Sequence, residues 1–198
     1  MAKVKLTKNE LKAQKDSLKR FERYLPTLVL KKQQLQMVVR QIEAEIREKG
    51  QVLDALRSAL DSWIAVFGEP IDLNEFVRIG SIVTSDGNIA GVDIPVYDSL
   101  EFTVARYDLV ATPLWIDQGI IQLEQILRLD AELEILQRQR DRLSNELRIT
   151  TQRVNLFEKV KIPETKTHIR NIRIYLGDEQ TAAVVRGKIA KKNLVRVV

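Results

Sequence analysis

The chain has 198 residues, of which 30% are charged and 6% aromatic, with only 8 glycines and 5 prolines. This composition is rich in helix formers and poor in turn residues, and the length favours one domain or an elongated structure over two domains. The absence of cysteine excludes disulfides and thiolate zinc sites.

Neither a signal peptide nor a membrane span is predicted. The first residues, MAKVKLTKNELKAQKD, contain no apolar core between the lysines. No stretch approaches the roughly 20 apolar residues that cross a bilayer. We therefore expect a cytoplasmic protein with no direct membrane insertion.

The net charge of +5 is distributed unevenly along the chain. The first 24 residues carry eight lysines and arginines against three acids, and the last 13 carry five and no acid. Residues 68–122 invert this balance, with two arginines against nine acids. The sequence thus predicts basic ends and an acidic middle.

The first segment, residues 1–67, repeats apolar side chains every seven residues. The two rows of this apolar seam are Leu11, Leu18, Leu25, Lys32, Val39, Ile46, Leu53, Leu60, Phe67 and Gln14, Phe21, Leu28, Leu35, Ile42, Lys49, Leu56, Trp63. Only Gln14, Lys32 and Lys49 interrupt it. A 3.5-residue period held over about eight heptads predicts a long supercoiled helix.

The second segment, residues 68–115, has a different texture. The stretch FVRIGSIVTSDGNIAGVDIPVY mixes β-branched residues with glycines, which predicts a β-hairpin. Asp86-Gly87 lies between two apolar runs and predicts the hairpin turn. Pro95 is then expected at the end of the returning strand, where its missing donor does little harm.

The third segment, residues 116–198, again predicts a long helix with a heptad seam. Its rows are Leu129, Leu136, Leu143, Thr150, Phe157 and Ile126, Leu133, Arg140, Leu147, Val154, Lys161, followed by Ile162, Ile169, Ile172 and Leu176. The last four lie one residue later than the undisturbed register requires, and the step coincides with Pro163. The glycines at 177 and 187 predict a frayed tail.

Pro163 either ends this helix or bends it. A proline inside a helix removes a backbone donor and clashes with the preceding turn, at a cost of roughly 3 kcal/mol. Because the apolar pattern resumes beyond Pro163, we expect a kink with local rewinding.

The two helical segments have similar lengths, about 85 and 90 Å at 1.5 Å per residue. Equal helices joined by a compact insert predict an all-α fold. Its form is a long antiparallel two-helix coiled coil, with a small β-hairpin-containing insert at the end opposite the termini. A parallel homodimeric coiled coil is the alternative, but the insert would then not be used to reverse the direction of the chain.

The sequence contains no motif for catalysis, a cofactor or a metal. It has no G-x-x-x-x-G-K-[ST], and the hairpin glycines do not form G-x-G-x-x-G. His168 is the only histidine, and a lone helical histidine is typically a packed or solvated residue. Carboxylates such as Glu43 and Glu48 have helix-surface spacings typical of ion pairs. The basic ends lack interleaved aromatic residues, so a nucleic-acid-binding arm is a less favoured alternative.

One stretch carries a family resemblance. TTQRVNLFEKVKIP at residues 150–163 resembles a run of the form T-T-R-R-V-N-A-L-E followed by I-P near the C-terminus of the D subunit of V-type and A-type rotary ATPases. The matching residues are Thr150, Thr151, Arg153, Val154, Asn155, Glu158, Ile162 and Pro163. LTKNEL and LVLKKQQL are similar to the family's N-terminal helix, and GNIAGVDIPVY is similar to its central insert. Gln152, Gln33 and Gln34 depart from the family pattern, which indicates a divergent member.

The resemblance implies a non-catalytic central-stalk subunit, a rotor shaft at the periphery of the membrane. Such a shaft transmits torque between a hexamer of A and B subunits, which hydrolyses or synthesises ATP, and a membrane ring that moves hydrogen or sodium ions. The implied partners are the F subunit, the A and B subunits, and a d/C-type subunit on the membrane side. The alternative function is a stand-alone coiled-coil scaffold or a prefoldin-like holdase.

Two groups of residues are candidate partner contacts. The resemblance singles out Arg153, Asn155, Glu158, Ile162 and Pro163, although a polar network within the coiled coil is an alternative interpretation of the polar ones. The charge pattern predicts the basic end inside the hexamer and the acidic insert against the d/C-type subunit. The acidic candidates are Asp72, Glu75 and Asp86.

Overall fold

A computed structural model of the chain describes residues 4–67, 76–105, 112–113 and 115–196. In chain order the elements are helix α1 (Lys8–Phe67), strands β1 (Val77–Ile89) and β2 (Val92–Val104), helix α2 (Ile116–Asn155), a π-helical segment (Leu156–Lys161) and helix α3 (Ile162–Arg196). The predicted helices and antiparallel hairpin are confirmed, whereas the supercoil stays a prediction. Among the described residues, no helix has the length and apolar character that a membrane span requires.

Contacts divide the chain into two compact units, and both long helical stretches contribute to each of them. Unit 1 combines the residues up to Lys32 with those from Ile149 onward, and unit 2 comprises Gln33–Arg148. Unit 1 therefore includes the start of α1, the π-helical segment and α3. Unit 2 includes the hairpin.

In unit 2, α1 and α2 pack antiparallel through the predicted seam. Leu35 of α1 shares a buried cluster with Leu143 of α2, and both side chains are 0% exposed. Further along α1, Leu53 shares a second cluster with Ile126, which lies near the start of α2. Burial of apolar surface at about 25 cal/mol per Å² is the main term that holds this pair together.

Ion pairs explain why a lysine is tolerated in the seam. Lys49, which interrupts the apolar row, lies 3.0 Å from Glu132 of α2. A second cross-helix pair joins Arg57 to Asp130 at 2.7 Å. Both pairs are partly exposed, so each contributes at most about 1 kcal/mol. Lys49 therefore keeps its charge paired at the rim of the core.

The hairpin lies against α2 through strand β2. Ile94 of β2 is buried in the cluster that joins α1 to α2. Gln139 Nε2 donates a hydrogen bond to the Pro95 carbonyl at 2.6 Å, and Arg142 Nη1 donates to the Asp93 carbonyl at 3.2 Å. The side chains of α2 thus pair with outward-facing carbonyls of β2.

The predicted hairpin turn is wrong. Asp86 and Gly87 lie inside β1, where Asp86 pairs with Pro95, and Pro95 is the fourth residue of β2, not its end. The turn is formed by Ala90 and Gly91, with φ of 52° and 76°. Two positive φ angles are what a two-residue turn between twisted strands requires, and Gly91 adopts its angle without steric cost.

The side chain of Asn88 explains why the turn lies there. Its Oδ1 accepts a hydrogen bond from the Gly91 N–H at 3.0 Å, and its Nδ2 donates to Asp93 Oδ1 at 2.6 Å. Gly87 serves a different purpose, because a Cβ there would lie 2.8 Å from Val96 Cγ2 across the hairpin. The glycine that suggested a turn is needed for close packing of the two strands.

In unit 1, the start of α1 contacts the π-helical segment and α3. The rings of Phe21 and Phe157 stack with centroids 5.4 Å apart. Glu22 forms an ion pair with Lys166 of α3 at 3.2 Å. Ile172 of α3 is 0% exposed, as its place in the stepped seam predicts. Unit 1 therefore buries its own part of the predicted seam.

Helix α1 begins directly after Thr7 and passes through a proline. Thr7 Oγ1 accepts a hydrogen bond from the Glu10 N–H at 3.2 Å, which is an N-cap interaction. Pro26 lies inside the helix on its exposed side. Close to it, the Thr27 hydroxyl donates to the Tyr24 carbonyl at 2.8 Å. Sequence reasoning overlooked Pro26, because the heptad seam runs past it undisturbed.

The one-residue step beside Pro163 is formed by the π-helical segment. The Ile162 N–H donates to the Phe157 carbonyl, five residues back instead of four. A π turn accommodates one extra residue, so the seam passes from Phe157 to Ile162. Lys161, which the undisturbed register would bury, is exposed. The predicted rewinding is confirmed, and the kink stays a prediction.

Pro163 is the second residue of α3, where its missing N–H does little harm. Helix α3 continues directly from the π-helical segment, so the missing donor falls where the backbone changes from the π to the α bonding pattern. Two hydroxyls bond to carbonyls around it: Thr165 Oγ1 donates to Lys161 at 2.6 Å and Thr167 Oγ1 to Pro163 at 3.0 Å. The π-to-α junction thus accommodates the proline without ending the helix.

Helix α3 continues to Arg196, where the sequence predicted fraying after Gly177. Each glycine costs only about 1 kcal/mol relative to alanine. Alanines, lysines and arginines between and after the two glycines are good helix formers and offset this cost. The Thr181 hydroxyl also donates to the Gly177 carbonyl at 3.1 Å.

Candidate functional site

Three predicted contact residues are exposed around the π-helical segment. Arg153 and Asn155 belong to the last turn of α2, and Glu158 belongs to the π-helical segment. Their side chains form no hydrogen bond or ion pair with any residue that the structure describes. They therefore do not form the internal polar network that was the alternative interpretation. A helix holds these groups at a surface, where a partner can pair with them.

The other two candidates from this stretch differ from each other. Pro163 is exposed, so it remains a surface candidate. Ile162 is half-buried and takes the seam position after Phe157. The structure thus assigns Ile162 to packing within unit 1.

Two apolar residues of this surface were missed by sequence reasoning. Leu156 and Val160 are each 44% exposed, and they lie four positions apart within the π-helical segment. Residues at this spacing are neighbours on a helix surface. The sequence contained a signal for their exposure, since neither Leu156 nor Val160 occupies a position of the apolar seam on either side of the one-residue step. Together with Arg153, Asn155 and Glu158 they are five exposed side chains of residues 153–160, a set here named the π face. Positions two apart, such as Arg153 and Asn155, project to different sides of the helix.

A second surface in unit 1 is a groove between α1 and α3 with a volume of about 460 Å³. It is lined by apolar side chains and five cations, namely Leu18, Ile169, Ile174, Lys15, Lys19, Lys166, Arg170 and Arg173, together with Glu22. Glu22 is the one acid in this lining and is already paired with Lys166. The groove, here named the basic groove, therefore has a surplus of positive charge around apolar side chains.

The helical spacing of these cations was the signal that sequence reasoning did not use. Lys15 and Lys19 are four residues apart, and Lys166, Arg170 and Arg173 follow the spacing of one helix face. Each set alone is typical of a solvated face. Only the pairing of α1 with α3 brings the two sets to one groove.

The acidic candidates are in and beside the hairpin of unit 2. Asp72 and Glu75 lie outside the described residues. Asp86 is exposed in β1. Three further exposed acids of the hairpin accept hydrogen bonds from the opposite strand: Asp93 from Asn88 at 2.6 Å, Asp98 from Ser85 at 3.0 Å and Glu101 from Ser81 at 2.8 Å. Arg78 is the one cation between Val77 and Val104, so the hairpin surface is acidic.

The described residues contain no arrangement that resembles a catalytic centre. Within them, no group of three or more histidine, aspartate or glutamate side chains is placed to hold a metal ion. His168 is half-buried in α3. Burial raises the pKa of the Tyr97 phenol, and the neighbouring Glu132 carboxylate raises it further. Tyr97 therefore stays protonated at neutral pH and supplies no base.

Comparison with known proteins identifies the family. Residues 10–192 match the family model for the D subunit of ATP synthase. The chain is 52% identical to the D subunit of the V-type ATP synthase of Borreliella burgdorferi over 196 residues, which cover 99% of this chain and 97% of that relative. Proteins with the same name from Chlamydia abortus and Chlamydia caviae are 34% and 33% identical over 194 residues, 96% of this chain and 93% of theirs. The resemblance seen in the sequence is confirmed, and the chain belongs to the family of ATP synthase D subunits.

Proposed function

We propose that the chain is the central rotor shaft of a V/A-type rotary ATPase. It transmits torque between the ATP-converting hexamer of A and B subunits and the ion-translocating membrane ring, and it performs no catalysis itself. The observation that carries this proposal is the near-full-length match to proteins named as the D subunit of V-type ATP synthase. The match favours a rotor subunit over a stand-alone scaffold or holdase.

The packing of the helices supports this role. A shaft must resist twisting while its two ends bear different loads. The antiparallel helices of unit 2, with their buried seam, meet that need, because twisting one helix against the other would expose apolar side chains. No reactive group is required.

We assign the two surfaces of unit 1 to contacts with the hexamer and with the F subunit. The π face offers Arg153, Asn155 and Glu158 without partners among the described residues, next to exposed apolar side chains. The basic groove offers cations that fit acidic side chains of the hexamer. The hairpin of unit 2, which is acidic, is assigned to the d/C-type subunit at the membrane periphery.

The first test is assembly. Co-expression of the chain with the A, B and F subunits of the same genome should yield a stoichiometric complex after purification. Addition of the chain to the A/B hexamer should change its rate of ATP hydrolysis. If no complex forms and the rate does not change, the chain is not the shaft.

The same assay tests the π face. We expect the triple variant Arg153→Ala, Asn155→Ala and Glu158→Ala to have a free energy of unfolding within about 0.5 kcal/mol of the parent's. The reason is that the three side chains have no partner among the described residues. Its affinity for the A/B/F assembly should fall about tenfold or more, because contact side chains are lost. Arg138→Ala is the control, since Arg138 is exposed and its one partner among the described residues is Glu134 on its own helix. Unchanged affinity of the triple variant would remove the π face from the contacts and leave the shaft proposal standing.

The assignment of the hairpin predicts a selective loss. Lysine substitutions at Asp72, Glu75 and Asp86 should abolish binding of the d/C-type subunit while the A/B/F assembly persists, because they reverse the charge that a basic partner surface needs. Asp54→Lys, which makes the same charge reversal at a single exposed site of α1, should bind like the parent. Pull-down of the d/C-type subunit measures the binding of the triple variant and of Asp54→Lys. Retained binding in the triple variant would contradict the assignment.

A further inference from the structure

The two outer edges of the hairpin differ. On β2, the carbonyls of Asp93 and Pro95 accept hydrogen bonds from Arg142 and Gln139 of α2. Pro95 also removes one N–H from that edge. The edge of β2 is therefore covered by a helix and lacks a donor, and both devices prevent pairing with another strand.

The edge of β1 has neither device. From Arg78 to Asp86 every residue of β1 is exposed, including Ile79, Ile82 and Val83. The stretch between Arg78 and Asp86 contains no proline and no charged residue. No second strand pairs with β1 in the part of the chain that the structure describes. A long β-branched edge of this kind is a template for strand addition.

The register tells which backbone groups are available. Ile89 and Val92 close the two-residue turn, so they form a hydrogen-bonded pair, and such pairs alternate along an antiparallel ladder. Asn88, Asp86 and Thr84 therefore occupy non-hydrogen-bonded pairs of the ladder. Their N–H and C=O groups therefore point away from β2, towards the open edge. The alternation agrees with the outward-facing carbonyls on the opposite strand, which bond to α2.

We propose that this edge binds an extended segment of a partner protein that adds as a third strand and carries lysine or arginine. The charge of the surface determines the partner's chemistry, since Asp86, Asp98 and Glu101 are exposed and Arg78 is the one cation of the hairpin. Backbone hydrogen bonds give the affinity, and the basic side chains give the preference. The inference deepens the assignment of this hairpin to a membrane-side partner. It rests on that proposed function in one respect, namely which subunit supplies the strand.

A second copy of the chain fits this edge less well. Pairing of β1 with β1 from another copy would bring together two hairpins that each carry four acids against Arg78, so their net negative charges repel. A basic strand instead places opposite charges across the new pair.

The proposal is tested with a fluorescein-labelled nine-residue peptide of alternating lysine and valine, added to the full-length chain and followed by anisotropy. We expect binding by this peptide and a loss of about tenfold or more when its alternate amides are N-methylated, which keeps the side chains and removes the donors. An analogue with glutamate in place of lysine should not bind. Equal binding by the methylated peptide, or no binding by the parent peptide, would overturn the proposal.

A substitution in β1 provides an independent arm. Thr84→Pro removes an outward N–H without touching the ladder to β2, so peptide affinity should fall about tenfold while the melting temperature changes little. Thr84→Val keeps the N–H and should bind like the parent. If Thr84→Pro binds the peptide normally, or if light scattering shows a dimer that Thr84→Pro dissociates, the assignment to a basic partner strand fails. Assembly with the A, B and F subunits, measured on the same variants, reports separately on the rotor role.

Discussion

A chain that lacks Lys159 should be less stable than the parent by about 3 kcal/mol, although the deletion makes the seam regular. Removal of one residue from the π-helical segment brings Ile162 four positions after Phe157, which restores an unbroken heptad pattern. The segment then has no reason to stay π-helical. Pro163 would lie inside a continuous α-helix, where it lacks a donor and clashes with the preceding turn.

The cost should be visible as a melting temperature about 6–12 °C below that of the parent. Addition of Pro163→Ala to the deletion should restore the lost stability, because the clash is then removed. Lys159→Ala without a deletion is the matched control, since Lys159 is exposed and its loss should change stability by less than about 0.5 kcal/mol. A deletion variant that melts with the parent would mean that the π-helical segment does not accommodate the proline.

Leu35→Ala should destabilise the chain by about 2–5 kcal/mol. Leu35 is 0% exposed and lies in the cluster where α1 meets both α2 and the buried Ile94 of the hairpin. Truncation there leaves a cavity between three elements, none of which can move inward without disturbing the others. Unfolding in urea, followed by circular dichroism, measures the change.

Met37→Ala is the matched control for this prediction. Met37 is two positions from Leu35 on the same helix and is 68% exposed. Its truncation removes little buried surface, so the free energy of unfolding should change by less than about 0.5 kcal/mol. Similar losses in both variants would mean that burial in the seam is not what stabilises unit 2.

The helices could be predicted because their signal is repeated many times. Apolar residues at most heptad positions identify the buried side of α1, and Lys49, which interrupts the row, is paired with Glu132. The step at Pro163 was also readable, because Ile169 and Ile172 retain the heptad spacing in a new register. The form of the step was not readable. A π turn and a sharp bend displace the apolar pattern equally.

The turn of the hairpin could not be predicted from local preference. Asp86-Gly87 is the better turn sequence, since Ala90 adopts a positive φ that alanine disfavours. Tertiary packing decides instead, because the observed register buries Ile94 against the helices and lets Asn88 bond to the turn. The helix residues that bury Ile94 are far from it in the sequence, so local preference does not reveal them.

The candidate surfaces were predictable only where one helix carries them. Arg153, Asn155 and Glu158 follow one another on a single helical stretch, and all three are exposed as surface candidates must be. The basic groove requires Lys15 and Lys19 from one helix beside cations of another. Pairing of distant helices creates that surface, so neither helix indicates it alone.

The π-helical segment has the geometry that a one-residue insertion into a regular α-helix produces when the packing on both sides of it is kept. A relative with an uninterrupted α-helix here would have one residue fewer between the positions of Val154 and Ile169. The length of that interval therefore separates relatives in which a proline at this position is tolerated from those in which it would break a continuous α-helix.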